Sequence, residues 1–385
     1  MHENDMDQRL ARWDIFCRVV DNYGDIGVTF RLARQLADEY GVAVRLWLDD
    51  LASLAMLRPE TALQAARQTV AGVDVCRWDE PFDAAQPAQV VIEAFACGLP
   101  QAYLEAMAAC AQKPVWINLE YLSAEAWVDD CHGMASRHPR LPLTQYFFFP
   151  GFSRGTGGLL RERTLLAERQ AFRAHADRQQ AFWQSLGINE AAGALKISLF
   201  GYSNPAVHSL LDSWASGAQA VLAVVPENRL LRDVEHYCGR SLKAGDELVH
   251  GSLRLVVLPF LPQDQYDRLL WACDINFVRG EDSFVRAQWA ATPLVWQIYL
   301  QDENIHLEKL EAFLARYTDG LPVDAALALQ NLWRDWNRQQ LADGVWQDCL
   351  SCWPVLRQHA ETWAASLAQV ESLAAQLISF CKTRV

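Results

Sequence analysis

Asp21-Asn22-Tyr23-Gly24-Asp25-Ile26-Gly27 is the stretch on which the reading of this 385-residue chain turns. It follows residues 15–20, an apolar run of strand length, and precedes residues 28–40, which carry the pattern of an amphipathic helix. Strand, tight turn and helix in that order predict the first unit of an α/β domain. The turn then lies at the strand's carboxyl end, where such sheets bind ligands. Two aspartates four residues apart, with loop glycines Gly24 and Gly27, occupy that position. A plainer reading has Asp21 capping the turn and Asp25 capping the helix.

Outward from this stretch, strand and helix patterns alternate. Residues 42–48 read as a strand ending in Asp49 and Asp50, which imitates the ribose-binding acid of a dinucleotide fold. Gly24 and Gly27 do not complete Gly-x-Gly-x-x-Gly, so a nicotinamide enzyme is disfavoured. Strands over 73–76, 90–95 and 114–119, with an alanine-rich helix over 101–111, predict a mostly parallel sheet covered on both faces. The aromatic run Tyr146-Phe147-Phe148-Phe149-Pro150-Gly151-Phe152 reads as a buried wall. Residues 159–186 are charged and helical.

A second series opens with a strand over 195–200 that runs into Gly201-Tyr202-Ser203-Asn204-Pro205, and a helix starts after the proline. Strands over 220–225, 253–258, 275–278 and 293–296 follow, with a clear helix over 264–272, and the tail 353–381 is helical. Two successive α/β halves of this kind are the architecture of the GT-B glycosyltransferase fold, two Rossmann-like domains facing across a cleft, among other folds. The expected divisions are an acceptor-side domain (1–160, with 365–385 crossing back), a helical connector (161–191) and a nucleotide-sugar-binding domain (192–364).

Composition narrows the class. The length suits two domains, and with half of the residues apolar and a fifth charged the chain can bury substantial cores. A formal net charge of −13 opposes generic binding to a nucleic-acid backbone. Residues 1–12 are polar and lack the apolar core of a secretory signal, and no run approaches a membrane span. The ten cysteines lack the spacing of a disulfide scaffold, so a reduced, cytoplasmic enzyme is expected. Cys349 and Cys352 form a lone Cys-x-x-Cys with no second pair at zinc spacing, and read as structural. His132 and His138 read as structural or surface residues, while His306, at a helix start, is left open.

The second constellation is Arg279-Gly280-Glu281-Asp282-Ser283, where a strand gives way to a helix. Free N–H groups and the positive dipole end at a helix N-terminus suit a pyrophosphate, and Arg279 adds a forked cation. Glu281 is then placed to accept hydrogen bonds from sugar hydroxyls. The competing reading is that Asp282 or Ser283 only caps the helix and Glu281 is solvated.

Taken together, these blocks resemble a known family. Residues 20–28 with Arg31-Leu32-Ala33-Arg34-Gln35-Leu36 resemble the start of the bacterial protein-arginine rhamnosyltransferases, EarP, which modify translation elongation factor P. Residues 147–152 with Thr156-Gly157-Gly158-Leu159-Leu160 are similar to that family, as are Phe200-Gly201-Tyr202, residues 261–267 and residues 279–283. The resemblance implies dTDP-β-L-rhamnose as donor, one arginine of elongation factor P as acceptor, and inversion at the anomeric carbon. It implies Asp25 as general base and Asp21 as a second carboxylate beside the acceptor. Tyr202, Arg279, Asp282 and Ser283 would hold the pyrophosphate and Glu281 the ribose. Phe200, Gln263 and Tyr266 would surround the thymine. A GT-B enzyme with a small-molecule or glycan acceptor is the alternative.

The chemistry is consistent with this. A guanidinium is cationic and a poor nucleophile, so its glycosylation needs a group to orient it and a base to take a proton as the bond forms. Paired carboxylates can do both. Metal-dependent transferases commonly use Asp-x-Asp, found here only as Asp5-Met6-Asp7 in the polar tail. Arg279 and helix-end amides can meet the leaving-group charge instead, so no metal or other cofactor is expected.

Overall fold

The computed structural model describes residues 11–21, 23–79, 82, 86–189, 193–300 and 305–384; Asp5 and Asp7 of the Asp-x-Asp stretch lie outside them. The chain divides into two compact units, Met1–Arg163 with Gln369–Val385, and Thr164–Ala368. Among the described residues no helix is long and apolar enough to cross a membrane.

The first unit is built on β1 (Arg12–Cys17), β2 (Ala43–Leu48), β3 (Arg67–Val70), β4 (Val73–Arg77), β5 (Val90–Ala94), β6 (Val115–Leu119), β7 (Ala135–Arg137) and β8 (Thr144–Phe148). They lie in the order β3-β4-β2-β1-β5-β6-β8-β7, parallel except for β3 and β7 at the edges. Strands covered on both faces read as continuous apolar runs, and β5 and β6 are buried along their whole length. The core beside β1 is aromatic, with Phe16, Trp78, Tyr103 and Trp116 in one cluster.

The structure shifts several expected boundaries. β1 begins at Arg12 and ends at Cys17, earlier than the apolar run at 15–20. A charge inside the strand obscured its start: Asp14 is fully buried, and its register partner Arg45 on β2 donates to both carboxylate oxygens at 2.6 Å. The Ala88 N–H (3.1 Å) and the Tyr103 hydroxyl complete its hydrogen bonding. The first helix is Gly24–Tyr40, so Gly24 and Gly27 belong to its first turn and not to a loop. The aromatic run at 146–152 is partly β8. Phe148 and Phe149 are buried, and Phe148 and Tyr146 meet Phe380 of the helix Leu373–Lys382 edge-on at 5.4 and 5.5 Å.

The second unit contains β9 (Leu195–Leu199), β10 (Val221–Pro226), β11 (Glu247–His250), β12 (Leu253–Leu258), β13 (Ile275–Arg279) and β14 (Leu294–Gln297). Their order is β11-β12-β10-β9-β13-β14, with β11 alone antiparallel. The charged stretch at 159–186 forms two helices, Leu165–Ala174 and Ala176–Ser185, both within this unit from Thr164 onward. Their arginines serve packing: Arg169 donates to the Trp289 carbonyl (2.6 Å) and Arg173 to that of Trp271 (3.1 Å). Both acceptors lie in the last turn of a helix, Asp282–Ala290 and Gln263–Ala272, where carbonyls lack intrahelical partners.

In each sheet the strand order reverses beside one strand. β1 lies between β2 and β5, and β9 lies between β10 and β13. Ligands of open parallel sheets bind outside the carboxyl ends of strands at such a switch point. The aspartate stretch follows β1, residues 200–202 follow β9, and residues 279–283 end β13.

A buried ion pair ties together two helices at the second switch point. Arg286 of Asp282–Ala290 donates to both oxygens of Asp267 on Gln263–Ala272, at 3.0 and 2.7 Å, and both residues are buried. Removing one partner leaves the other charge buried and uncompensated. Arg286→Ala is therefore expected to cost about 3–5 kcal/mol in denaturant unfolding. The double replacement Asp267→Leu/Arg286→Met should recover most of that loss.

Candidate active site

In the first unit the site is made by a helix starting abruptly after a strand. Tyr23 is the N-cap of Gly24–Tyr40 and makes no side-chain cap bond. Capping comes from inside the helix: Asp25 Oδ2 accepts the backbone N–H of Val20 (2.8 Å) and of Asp21 (2.9 Å). Asp25 thus folds the turn back over its own helix, and it is 2% exposed. Both turn bonds use Oδ2. The Gly24 N–H donates to the Asp21 carbonyl at 2.7 Å, and a Cβ on Gly24 would lie 2.7 Å from Asp21 Oδ2. A side chain there would displace the Asp21 carboxylate from its place against the backbone.

The Asp25 pKa is raised above the usual carboxylate range. Burial is the main cause, and the negative charge of Asp21 adds to it. The N–H groups of Asp21 and Val20 and a hydrogen bond from the Tyr121 hydroxyl oppose the shift without cancelling it. A carboxylate so held is a stronger base than aspartate in water and is fixed in orientation. The structure thus unites Asp21, Gly24 and Asp25, with Gly27 in the same first turn of the helix. The plainer reading had Asp25 capping the helix; the structure has it holding the turn in front of the helix, while the N-cap Tyr23 makes no side-chain cap bond.

In the second unit, Phe200, Tyr202, Tyr266 and Arg279 form one cluster. The Arg279 guanidinium lies 4.7 Å from the Tyr202 ring centroid and 5.0 Å from that of Phe200, and Phe200 meets Tyr266 at 5.3 Å. All four are buried. An arginine on two aromatic faces is held in one orientation and partly stripped of water, which strengthens its pull on an anion. Burial raises the Tyr266 phenol far above its ordinary value, with the Arg279 cation working against it, so it stays protonated. Gln263 is buried in the first turn of the same helix as Tyr266.

The chain turns from β13 into its helix at Gly280, whose φ of +59° is left-handed and suits glycine. Trp296 Nε1 donates to the Gly280 carbonyl at 2.8 Å. The helix begins at Asp282 with Glu281 as an N-cap that makes no side-chain cap bond. The Ser283 hydroxyl donates to the Arg279 carbonyl and accepts the Arg279 N–H at 3.0 Å. The Ser283 side chain thus closes the turn and also hydrogen-bonds Tyr266.

Other residues that sequence patterns did not single out shape these turns. Gln297, at the end of β14, accepts the Tyr202 N–H at 2.9 Å and so fixes the turn after β9. Tyr121 lies two residues past β6 and has no motif around it. His132 accepts the Phe149 N–H (3.1 Å) and His138 the Leu141 N–H (3.0 Å), so both are structural. His306 is buried in the helix Ile305–Tyr317. The Cys349 thiol donates to the Ala328 carbonyl, and burial pushes it up to about 12, which leaves it inert. Among the described residues no group of three or more His, Cys, Asp or Glu side chains could hold a metal ion.

Comparison with known proteins supplies the family. A protein-arginine rhamnosyltransferase of Pseudomonas putida is 53% identical over 96% of this chain and 98% of that protein. The Shewanella oneidensis protein of the same name is 40% identical over 97% and 98%. A solved structure described as the structural basis for EarP-mediated arginine glycosylation of translation elongation factor EF-P is 40% identical. It covers 97% of this chain and 100% of its own, with a TM-score of 0.71. That likeness and the two parallel sheets give the GT-B fold. Residues 13–382 match the model of the Elongation-Factor P (EF-P) rhamnosyltransferase EarP, and the chain belongs to that family.

Proposed function

We propose that this chain is a protein-arginine rhamnosyltransferase that moves L-rhamnose from dTDP-β-L-rhamnose to one arginine of translation elongation factor P, inverting the anomeric carbon. The observation that carries the reading is Asp25, a buried carboxylate with a raised pKa at the end of β1, with Asp21 beside it. Asp21 holds the guanidinium while a guanidinium nitrogen attacks the anomeric carbon and Asp25 takes its proton. The sugar–phosphate bond breaks on the opposite face and dTDP leaves with the electron pair. Tyr202, Arg279 and the N–H groups of Asp282 and Ser283 stabilise its growing charge. Glu281 holds the ribose, and Phe200, Gln263 and Tyr266 form the thymine wall. Family membership supports the sugar and the acceptor, and a translation factor as acceptor sets the reaction in the cytoplasm.

The deciding experiment is mass spectrometry of elongation factor P incubated with the purified protein and dTDP-rhamnose. Addition of one deoxyhexose is expected, unchanged by a chelator. Donor hydrolysis without protein modification would instead support a small-molecule or glycan acceptor, and loss of transfer with EDTA would overturn the metal-free assignment.

Asp25→Asn should lower transfer by roughly 10²–10⁴-fold while donor affinity is retained. Its Tm should equal or exceed that of the parent. A carboxyl whose pKa is raised on folding costs stability once it ionises, and the amide oxygen still accepts the two turn N–H groups. By the same sign, activity falls as pH drops through the raised Asp25 pKa. The acidic limb of kcat/KM therefore lies above that of free aspartate, about 3.9. Arg279→Met should raise the donor KM roughly tenfold to a hundredfold, with a smaller effect on the acceptor KM.

A further inference from the structure

Two consecutive non-glycine residues, Phe95 and Ala96, have left-handed backbone at φ 58° and 51°, directly after β5. Left-handed backbone costs roughly 1–3 kcal/mol at each such residue and persists only where surrounding structure holds it. Here the Phe95 N–H donates to the Leu119 carbonyl (2.7 Å) and the Ala96 N–H to Asn118 Oδ1 (3.1 Å). The strained turn lays the Phe95 ring against Tyr121, with centroids 4.3 Å apart and planes within 14°. Tyr121 hydrogen-bonds Asp25 through its hydroxyl and is 37% exposed. Three neighbouring strands, β1, β5 and β6, thus deliver a base and a stacked, partly exposed aromatic pair to one spot.

A stacked pair that stays partly exposed gains too little burial to warrant two strained residues for packing alone. Beside a carboxylate it offers what a planar cation seeks, an aromatic face for the guanidinium plane and an acceptor at its edge. We propose that Phe95 and Tyr121 form a platform that receives the acceptor guanidinium next to Asp25, and that the Tyr121 hydroxyl is the positioning group for that base. The proposal rests on the reading of Asp25 as base. The ionisable groups facing Asp25 are Asp21 in the turn, Cys17 on β1 and Tyr121 after β6. Asp21 opposes its ionisation and Tyr121 favours it. Cys17 is itself pushed up by burial and stays a neutral thiol.

Three variants test this against intact elongation factor P. Phe95→Gly suits the left-handed backbone, so it should preserve or raise Tm while increasing the acceptor KM roughly 3- to 30-fold. Tyr121→Leu should raise the acceptor KM similarly. Tyr121→Phe keeps the ring, so it should change that KM less than twofold, lower kcat and move the acidic limb of the pH profile upward. Unchanged acceptor KM in both Phe95→Gly and Tyr121→Leu would overturn the platform. An unmoved acidic limb in Tyr121→Phe would overturn the positioning role. Asp25→Asn run alongside separates the two levels: if it is inactive while the other variants behave as the parent, only the platform falls. If it is active, the assignment of the base falls.

Discussion

The first switch point depends on one arrangement, a carboxylate placed inside a helix and accepting hydrogen bonds from the turn in front of it. Asp25 cannot be solvated where it lies, so the N–H groups of Val20 and Asp21 replace water. Those bonds curl the chain after β1, bring the Asp21 side chain against Gly24 and set where the helix begins. Because they do not fully offset the loss of water, the group keeps a strong affinity for a proton. Folding and the proposed chemistry thus draw on the same desolvated carboxylate.

The second switch point uses the opposite charge by a similar device. Arg279 is withdrawn from water onto Phe200 and Tyr202. Its backbone is held by Ser283, and the turn that follows it is anchored by Trp296. The Asp267–Arg286 pair fixes the helix carrying Gln263 and Tyr266 relative to the helix starting at Asp282. The side chains proposed to bind the donor are therefore oriented before any ligand arrives, which lowers the cost of ordering them on binding.

Much of this was legible from the chain because apolar runs and turn residues report burial directly. The central strands β5, β6, β10, β12 and β13 are near-continuous apolar runs, and reading them is reading their coverage on both faces. Edge strands such as β3, β7 and β11 carry no such signal, since one side of each lacks a partner strand and their residues are largely exposed. The start of β1 was hidden by Asp14, whose compensating Arg45 is 31 residues away and recognisable only from the register. The aspartate stretch and Arg279–Ser283 stood out by composition. Phe95 did not, because nothing about a phenylalanine announces left-handed backbone; Asn118 and Leu119 on the neighbouring strand impose it. Gln297 was silent for the same reason, as its bond to Tyr202 crosses 95 positions.

The membership of residues 369–385 in the first unit has a consequence for biosynthesis. The helix Leu373–Lys382 supplies Phe380 against Phe148 and Tyr146, and Leu373 donates its N–H to the Leu159 carbonyl. The second unit is one uninterrupted segment, whereas the first is split between early and late parts of the chain. As the polypeptide emerges from a ribosome, the segment ending at Ala368 can complete its contacts first. The first unit closes only once residues 369–385 have been made, and until then Phe148 and Tyr146 lack their contacts with Phe380.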